Sequence, residues 1–282
     1  MWNGRFLAPN NNDIQTAIEA INALEATNST GLLTDYDAIF DAENEGNKEI
    51  IFATYYERSE TGSNNTSSYG FRQDFLSGGP ELYPDVPHSG SAGLWRIGFS
   101  PKMEALYNDD NDSRKDANLL RLYPRELDAN GNVVILTEET PMADMITKYV
   151  GTWDGSNRTY ENNLIQYRWA DMVLLRAEAK CALGSGDKGV SDLNLIRNRA
   201  GLGNYTGATD QVALAQEILD ERARELCYEN KRWEDVIRAG RLVEEIPQYA
   251  NSHPTGDIRY IYWPIAESMM VLNSALTQTP GY

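Results

Sequence analysis

The chain has 282 residues, 41% of them hydrophobic, which is enough to bury a substantial core in one domain or two. Its net charge of −17 repels the phosphates of nucleic acids and anionic lipids, so the expected partners are neutral ligands or proteins and no nucleic acid. No apolar run reaches the roughly 18 residues that span a bilayer, and residues 1–13 lack the basic start and apolar middle of a signal peptide.

The first part of the chain is predicted to hold one amphipathic helix and one strand. Ile14, Ile18 and Ile21 recur at helical spacing, which predicts a helix over residues 13–27. The segment EIIFATYY, residues 49–56, is rich in β-branched and aromatic residues, which favours a strand.

A long loop is predicted over residues 57–99, which are dense in Ser, Gly, Asn and Pro. Loops of this length inside compact domains are commonly functional or disordered. Disordered segments are usually poor in aromatic residues, so the aromatic content here favours an ordered loop whose rings are packed or used: Tyr69, Phe71, Phe75, Tyr83 and Trp95.

The region that follows is predicted to contain a short helix, SPKMEALY, an acidic turn, NDDNDSRKD, and a hairpin around Asn130 and Gly131. The acidic turn suggests calcium, but it lacks the Gly and the distal Glu of an EF-hand loop. We therefore expect a solvated turn in which Asp112 and Arg114 pair. A second aromatic loop carries Tyr149, Trp153 and Tyr160.

The carboxyl-terminal half is predicted to be helical. WADMVLLRAEAKCALG ends at Gly184, and KGVSDLNLIRNRAGL ends at Gly201, so the two segments form an antiparallel hairpin typical of tetratricopeptide-like units. Such a hairpin needs packing neighbours, and a helix predicted over 211–230 supplies one. Its first helix places these residues on one face: Ala170, Val173, Leu174, Ala177 and Cys181.

Few residues are available for catalysis. The chain has two cysteines without metal-type spacing and two histidines, both in loop sequence. The sequence therefore predicts no catalytic residue, no cofactor and no metal site. Cys181 is expected to be a buried small hydrophobe.

Charges of both signs fill LDERARELCYENKRWEDVIRAG, residues 219–240, which read as one helix. In a helical projection Glu225 and Glu229 fall on the arc of Leu226 and Trp233, the face that should be buried, whereas a solvated charge run lies opposite the apolar face. The pattern predicts a buried ionic network. Its expected members are Glu221, Arg222, Glu225, Glu229 and Arg232, with Arg168, Arg176, Arg197 or Arg199 as further cations.

Four ordered segments carry a family resemblance. YRWADMVLLRAEAKCALG, LNLIRNRAGL, ILDERARELCYENKRWEDVIRAG and YWPIAESMMVLNSALTQTPGY resemble the carboxyl-terminal half of the SusD/RagB family. Departures at Ala266, Met269 and Ser274 concern the packing of the terminal tail. Family members are typically longer and begin with a lipidated cysteine, so we expect a carboxyl-terminal fragment, a truncated product or a short member that self-associates or has low stability.

The resemblance implies a mainly α fold with tetratricopeptide-like helical hairpins, a large loop-rich insertion and a few short strands. The expected division is a helix and strand over 1–56, a loop-rich ligand-binding insertion over 57–163, a helical core over 164–246 and a tail over 247–282 that packs on the core.

The resemblance also implies a non-catalytic binding protein at the cell surface of Bacteroidota, on an outer membrane to which a lipid anchor on the missing amino-terminal part would hold it. It would deliver an oligosaccharide or polysaccharide to a TonB-dependent transporter of the SusC type. Sugar rings stack on aromatic side chains, so Trp95 and Tyr69, followed by Tyr83 and Trp153, are the candidate ligand-binding residues; each ring could instead pack on the core.

Two other functions stay open. The chain could be a protein-interaction module or a peptide-binding relative. A glycoside hydrolase is disfavoured, because no acid/base pair is identifiable in the sequence.

Overall fold

The computed structural model describes residues 10–55, 99–118, 120–139, 162–247 and 263–279, with the short stretches 143–145, 148–149, 152–153 and 158–159 between them. Helices dominate these residues and the strands are short, so the predicted mainly α fold is confirmed. None of the helices in the described residues combines the length and apolar character needed to cross a bilayer.

Helix α1, Asn11–Ala26, begins with a capping box in which the Asn10 side chain accepts from the Asp13 backbone and the Asp13 side chain accepts from the Asn10 backbone. Only Ile18 and Ile21 are buried along it. Ile21 belongs to the hydrophobic cluster of the helical core, so α1 is a surface helix with a narrow apolar side.

Three helices form the core: α4, Trp169–Leu183, α5, Val190–Arg199, and α6, Gln211–Glu225. The predicted hairpin of α4 and α5 is confirmed, and Cys181 is buried there as a free thiol. Small residues on α4 let its neighbours approach closely. The fully enclosed apolar side chains of these helices include Ala170, Val173, Leu174, Ala177, Leu193, Ile196, Leu214 and Ile218.

Two glycines shape the turn between α4 and α5. Gly184 ends α4 in the left-handed conformation, with φ +62°. Gly189 has φ +87°, and a Cβ there would lie 2.4 Å from the carbonyl oxygen of Ala177 on α4. The close approach of the two helices therefore requires glycine at Gly189.

The chain leaves the helical conformation after α6, so the prediction of one helix over 219–240 is wrong. Tyr228 and Asn230 have φ of +60° and +58°, which no right-handed helix contains. Two short helices follow this turn: α7, Arg232–Arg238, and α8, Leu242–Glu245.

The break changes where two projected residues lie. Glu229 belongs to the turn and not to a helix face, and its side chain reaches Lys148 and Arg168. These ion pairs offset the conformational cost of the left-handed residues on either side of Glu229. Trp233, projected onto the buried arc, is 40% exposed.

The strand predicted over residues 49–56 is confirmed as β1, Ile50–Thr54, which pairs antiparallel with β8, Leu164–Arg168. The backbone N–H of Trp169 donates to the carbonyl of Glu49 at 2.7 Å. This pairing holds the amino-terminal part of the chain against the start of α4.

Between β1 and β8 the described residues form six strands and two short helices, which in chain order are α2, Pro101–Leu106; α3, Arg114–Asn118; β2, Leu120–Leu122; β3, Arg125–Leu127; β4, Val133–Ile135; β5, Ala143–Met145; β6, Thr152–Trp153; and β7, Arg158–Thr159. The hairpin predicted at Asn130 and Gly131 is confirmed, because β3 and β4 pair across it and Gly131 has φ +81°. The remaining strands pair as β2 with β5 and β6 with β7.

A second, aromatic cluster packs beside β8. The ring of Phe40 meets Tyr36 edge-on at 5.6 Å and Tyr149 at 5.4 Å. The Lys148 ammonium lies over both the Tyr36 and the Phe40 rings, 5.1 and 4.6 Å from their centroids. Tyr149, from the second aromatic loop, is thus an anchoring ring.

The last described segment, residues 263–279, contains helix α9, Glu267–Leu272, and has no buried residue. The Gln278 side chain bonds both backbone groups of Ile265, which closes the segment on itself. The predicted packing of residues 247–282 on the core stays a prediction.

Candidate functional site

The predicted ligand-binding rings fall mostly outside the described part of the chain. Trp95, Tyr69 and Tyr83 lie outside the described residues. Trp153 is described only in its backbone, as the second residue of β6 opposite Arg158. Their role as a sugar-binding surface therefore stays a prediction.

A buried ionic network lies where α6 ends. Its centre is Glu225, which has no exposed surface. One carboxylate oxygen accepts from Arg168 at 2.6 Å and from Arg199, and the other accepts from Arg114 at 3.0 Å. Burial acts to raise the pKa of Glu225, but the three guanidinium groups hold it well below its usual value.

Other carboxylates extend the network in both directions. Glu221 accepts from Arg114 at 2.7 Å and from Arg224 at 2.6 Å. Glu229 accepts from Lys148 at 2.7 Å. Every charged side chain in this network is buried and pairs with opposite charge, and its members are Glu49, Asp112, Arg114, Lys148, Arg168, Arg199, Glu221, Arg224, Glu225 and Glu229.

The network also satisfies the end of α6. The carbonyl of Glu225 accepts from the Tyr36 hydroxyl and from Arg168, each at 2.7 Å, and the Arg224 carbonyl accepts from the Tyr107 hydroxyl at 2.6 Å. These carbonyls have no partner within the helix, and positive charge suits a helix carboxyl end. The cations thus have a second role as a cap.

Two predicted members lie elsewhere. Arg222 pairs with Asp171 at 2.8 Å and with Asp235 at 2.9 Å, and Arg232 donates to the Leu219 carbonyl and to Glu245. The expectation that both arginines neutralise the three glutamates is wrong. One residue along a helix turns the side chain by about 100°, so Arg222 points away from its neighbour Glu221.

Arg114 and Lys148 were missed by the sequence reasoning. The predicted pairing of Asp112 with Arg114 is confirmed at 2.8 Å, but both side chains are buried, so the expectation that they are solvated is wrong. No sequence signal marks them, because Arg114 lies 107 residues from Glu221 and Lys148 lies 81 residues from Glu229.

The geometry of the buried ionic network suits a structural role and does not suit acid/base catalysis. Glu225 is ionised, enclosed and bonded to three arginines, whereas a general acid or base needs an open approach and a proton to exchange. Among the described residues no grouping of histidine, cysteine and acidic side chains has the arrangement needed to hold a metal ion.

An open cleft of about 590 Å³ is lined by residues at the end of α6, by α2 and by the start of α7; we name it the α2–α7 cleft. Phe99 lies nearly parallel to Tyr107 and Tyr228, with ring centroids 5.8 and 5.5 Å away. The apolar residues of the lining include Phe99, Met103, Leu106, Ala223, Leu226, Trp233 and Ile246.

The cations of this cleft already have partners in the protein. Lys102 pairs with Glu245 at 2.6 Å, and Arg232 shares the same carboxylate. Lys231 donates to the Gln166 carbonyl at 2.6 Å and lies 3.2 Å from Asp171. The cleft therefore offers apolar contact in its floor and paired charges along its rim.

Comparison with known proteins decides the family. The model of the SusD family matches residues 127–282, more than half of the chain. The chain belongs to the SusD family. This match spans α4 to α6 and most of the buried ionic network, and it confirms the family resemblance in the sequence.

This SusD protein is similar to longer relatives. SusD-like protein P2 of Formosa agariphila is 28% identical over 96% of this chain and 56% of its own length. B. fragilis NanU is 27% identical with a TM-score of 0.75, covering 100% of this chain and 60% of NanU. Surface glycan-binding protein A from Bacteroides thetaiotaomicron, in complex with laminarihexaose, is 20% identical with a TM-score of 0.67, covering 95% and 60%. The chain thus spans little more than half the length of the relatives that it matches.

Proposed function

We propose that this SusD protein is a non-catalytic carbohydrate-binding component of an outer-membrane nutrient uptake system at the cell surface. The observation that carries the proposal is membership of the SusD family, in which a protein of the same fold was solved with laminarihexaose. In this role the protein holds an oligosaccharide and delivers it to a TonB-dependent transporter of the SusC type.

We assign recognition to the aromatic loops. Sugar rings present C–H faces that stack on flat aromatic rings, while amides and carboxylates bond their hydroxyl groups. Trp95 and Tyr69 are the first candidates, followed by Tyr83 and Trp153. Trp95 is four positions before Phe99, and the ring of Phe99 stacks with Tyr107 and Tyr228. This stacking supports a loop that is anchored at its carboxyl end.

The state of the carboxylates supports a binding protein over a glycoside hydrolase. A hydrolase needs two carboxyl groups that flank the scissile bond, one of them protonated. Glu221, Glu225 and Glu229 are buried, and their pKa values are lowered by arginine and lysine partners against the effect of burial. Buried and paired with cations, these three carboxylates offer no open approach to a sugar.

Isothermal titration with neutral oligosaccharides selected on a glycan array tests the proposal. We expect Trp95→Ala and Trp153→Ala each to weaken the affinity at least about tenfold, which is roughly 1.4 kcal/mol of lost stacking. Trp263→Ala is the matched control, because this tryptophan is 90% exposed and lies outside both aromatic loops.

Three outcomes would contradict the proposal. The absence of binding to any glycan removes the function, and an unchanged affinity in both loop variants removes the residue assignment. Release of reducing sugar by the purified chain would make it an enzyme. Co-purification with a SusC-type transporter from native membranes tests the delivery step.

A further inference from the structure

The β1–β8 pair exposes two aromatic rings and one hydroxyl group. Within β1 and β8 the exposed residues are Phe52, Thr54 and Tyr167, and the aliphatic residues of both strands are half-buried or buried. Phe52 is 58% exposed and Tyr167 is 49% exposed, whereas Ile165 is enclosed in the aromatic cluster. Two large rings are therefore available to solvent on a sheet whose other residues pack into the protein.

The strand register and one lysine fix the position of these rings. Phe52 and Tyr167 are partners in the antiparallel pair, and directly opposite residues have Cβ atoms about 5 Å apart, so the two rings form one surface. The Lys231 ammonium lies 4.1 Å from the centroid of the Tyr167 ring. Lys231 itself donates to the Gln166 carbonyl at 2.6 Å and lies 3.2 Å from Asp171. Rings that are fixed before a ligand arrives lose little conformational entropy on binding.

The groups beside the rings suit a sugar better than an apolar partner. A sugar ring places its C–H face on a flat aromatic ring and needs hydrogen-bonding groups nearby for its hydroxyl groups. Here the side-chain amide of Gln166 donates to the hydroxyl of Thr54 at 3.3 Å, in an exposed position. An apolar partner would remove this amide and hydroxyl from water, which is unfavourable, whereas sugar hydroxyl groups can bond to them. Because Asp171 compensates the charge of Lys231, the surface fits an uncharged sugar.

The position of the rings along the chain connects them with the proposed function, on which this inference rests. Tyr55 directly follows β1, is 69% exposed, and comes two positions before the predicted loop over residues 57–99, to which we assign recognition. An oligosaccharide held by that loop can continue onto exposed rings at the point where the loop begins. We propose that Phe52 and Tyr167, with Tyr55 at the start of the loop, form an additional contact surface for the oligosaccharide.

Titration calorimetry with long and short oligosaccharides of the same repeating unit, taken from a glycan that the wild type binds, tests this surface. We expect the wild type to bind the longer oligosaccharide more tightly, because only the longer one reaches the rings. Phe52→Ala and Phe52→Leu should each weaken the affinity for the longer oligosaccharide by at least about fivefold, as expected when a ring that contacts the ligand is removed. Phe52→Trp should retain the affinity, because it keeps a flat ring where leucine offers only apolar bulk.

Val212→Ala is the matched control, because Val212 is 67% exposed on α6 and belongs to neither strand. Its affinity for the longer oligosaccharide should equal that of the wild type. Thermal melting establishes that each variant folds. Tyr55→Ala changes a residue outside the strands, so it provides the same test, with a loss of affinity expected, if the Phe52 variants unfold.

The proposal is overturned if the Phe52 variants and Tyr55→Ala bind the longer oligosaccharide as the wild type does while Trp95→Ala and Trp153→Ala bind it more weakly; the proposed function then stands without this surface. Full affinity in Phe52→Leu also overturns it, because stacking is then not the contact. If the wild type binds no glycan, the proposed function and this surface are both removed. If Phe52→Ala dissolves oligomers of this chain and leaves the glycan affinity unchanged, the rings bind a second copy and not a sugar.

Discussion

Arg168 and Glu229 meet through two parallel hydrogen bonds, Nε to Oε2 at 2.7 Å and Nη2 to Oε1 at 2.8 Å, across 61 residues of sequence. The pair is buried, and it joins the last residue of β8 to the turn after α6. A bidentate pair fixes orientation as well as distance. Because Arg168 also bonds Glu225 and Glu49, one guanidinium aligns three segments of the chain.

Removal of Glu225 is expected to be severely destabilising. Glu225→Ala leaves Arg114, Arg168 and Arg199 without their shared carboxylate in a site with no access to water. Breaking a buried ion pair in this way costs about 3–5 kcal/mol. Urea unfolding followed by circular dichroism measures the change in the free energy of unfolding.

Glu244→Ala is the control for this experiment. Glu244 pairs with Arg241 at the surface, where 60% of its side chain is exposed, and such pairs contribute about 0–1 kcal/mol. Wild-type stability in Glu225→Ala would show that the network contributes little to folding. Glycan binding should survive in any folded fraction of Glu225→Ala, because Glu225 is fully enclosed and its carboxylate bonds arginines of the protein itself.

The separation of Arg222 from the network predicts a difference in energetic coupling. In a double-mutant cycle Arg168 and Glu225 should couple by at least about 1 kcal/mol, because they bond directly at 2.6 Å. Arg222 and Glu225 share no partner, so their coupling should stay within about 0.5 kcal/mol. Glu225→Gln keeps the volume of the side chain in both cycles. Equal coupling in the two pairs would mean that the two clusters act as one.

The parts of the fold that the sequence predicts are those that depend on local periodicity. The sequence predicts the α4–α5 hairpin to within a few residues, because apolar spacing and Gly184 are signals carried within the segment itself. The projection of Glu225 onto the leucine face and its complete enclosure in the structure have the same cause, the rotation of about 100° per residue.

The parts that it does not predict depend on tertiary contact. Tyr228 and Asn230 adopt left-handed backbone conformations on either side of Glu229, whose side chain pairs with Lys148 and Arg168. Nothing in the local sequence forbids a continuous helix there. Arg114 likewise follows an acidic stretch whose sequence predicts exposure to solvent, and only the tertiary fold brings it into contact with Glu221 on α6. The sequence therefore predicts the burial of Glu221 and Glu225 but not that of their partner Arg114.

The network predicts loss of stability in acid. Burial acts to raise the pKa values of Glu225, Glu221 and Glu229, but their cationic partners lower them below the usual 4.5. Carboxyl groups with lowered pKa stabilise the fold above the unfolded value, and this stability is lost as pH falls through the folded values. The free energy of unfolding should therefore decline below about pH 4.5, by up to about 1.4 kcal/mol per pH unit for each group.

Glu225→Gln provides the comparison, because it removes the carboxyl group whose pKa is lowered most strongly. Its acid decline, measured by unfolding at pH values from 3 to 6, should be shallower than that of the wild type. An identical acid decline in the two proteins would assign acid sensitivity to other carboxylates.

Exposed apolar residues predict self-association of the isolated chain. Val271 and Leu272 are 79% and 80% exposed on α9, and on the β1–β8 pair Phe52 lies opposite Tyr167, with both rings exposed. Exposed apolar side chains of this kind promote association when they form patches. Sedimentation velocity should detect oligomers that Val271→Lys reduces. A monomer with one sharp unfolding transition would contradict the prediction.

The turn between α4 and α5 predicts a difference between two glycine substitutions. Gly184→Ala and Gly189→Ala both force a side chain into the left-handed region, which costs about 1–2 kcal/mol. At Gly184 nothing lies within 4 Å of the added carbon, whereas at Gly189 it would meet the backbone of Ala177 at 2.4 Å. Overpacking of this kind adds about 1–3 kcal/mol, because a helix backbone cannot move aside as a side chain can.

Gly189→Ala should therefore unfold at lower urea concentration than Gly184→Ala, with the same dependence of free energy on denaturant in both. The comparison cancels the conformational penalty that the two substitutions share. The difference between their midpoints therefore measures the cost of the contact between the added carbon and the backbone of Ala177. Equal midpoints would mean that α5 can move away from α4 without a loss of stability. In that case the tight packing at Ala177 would not be what holds the hairpin closed.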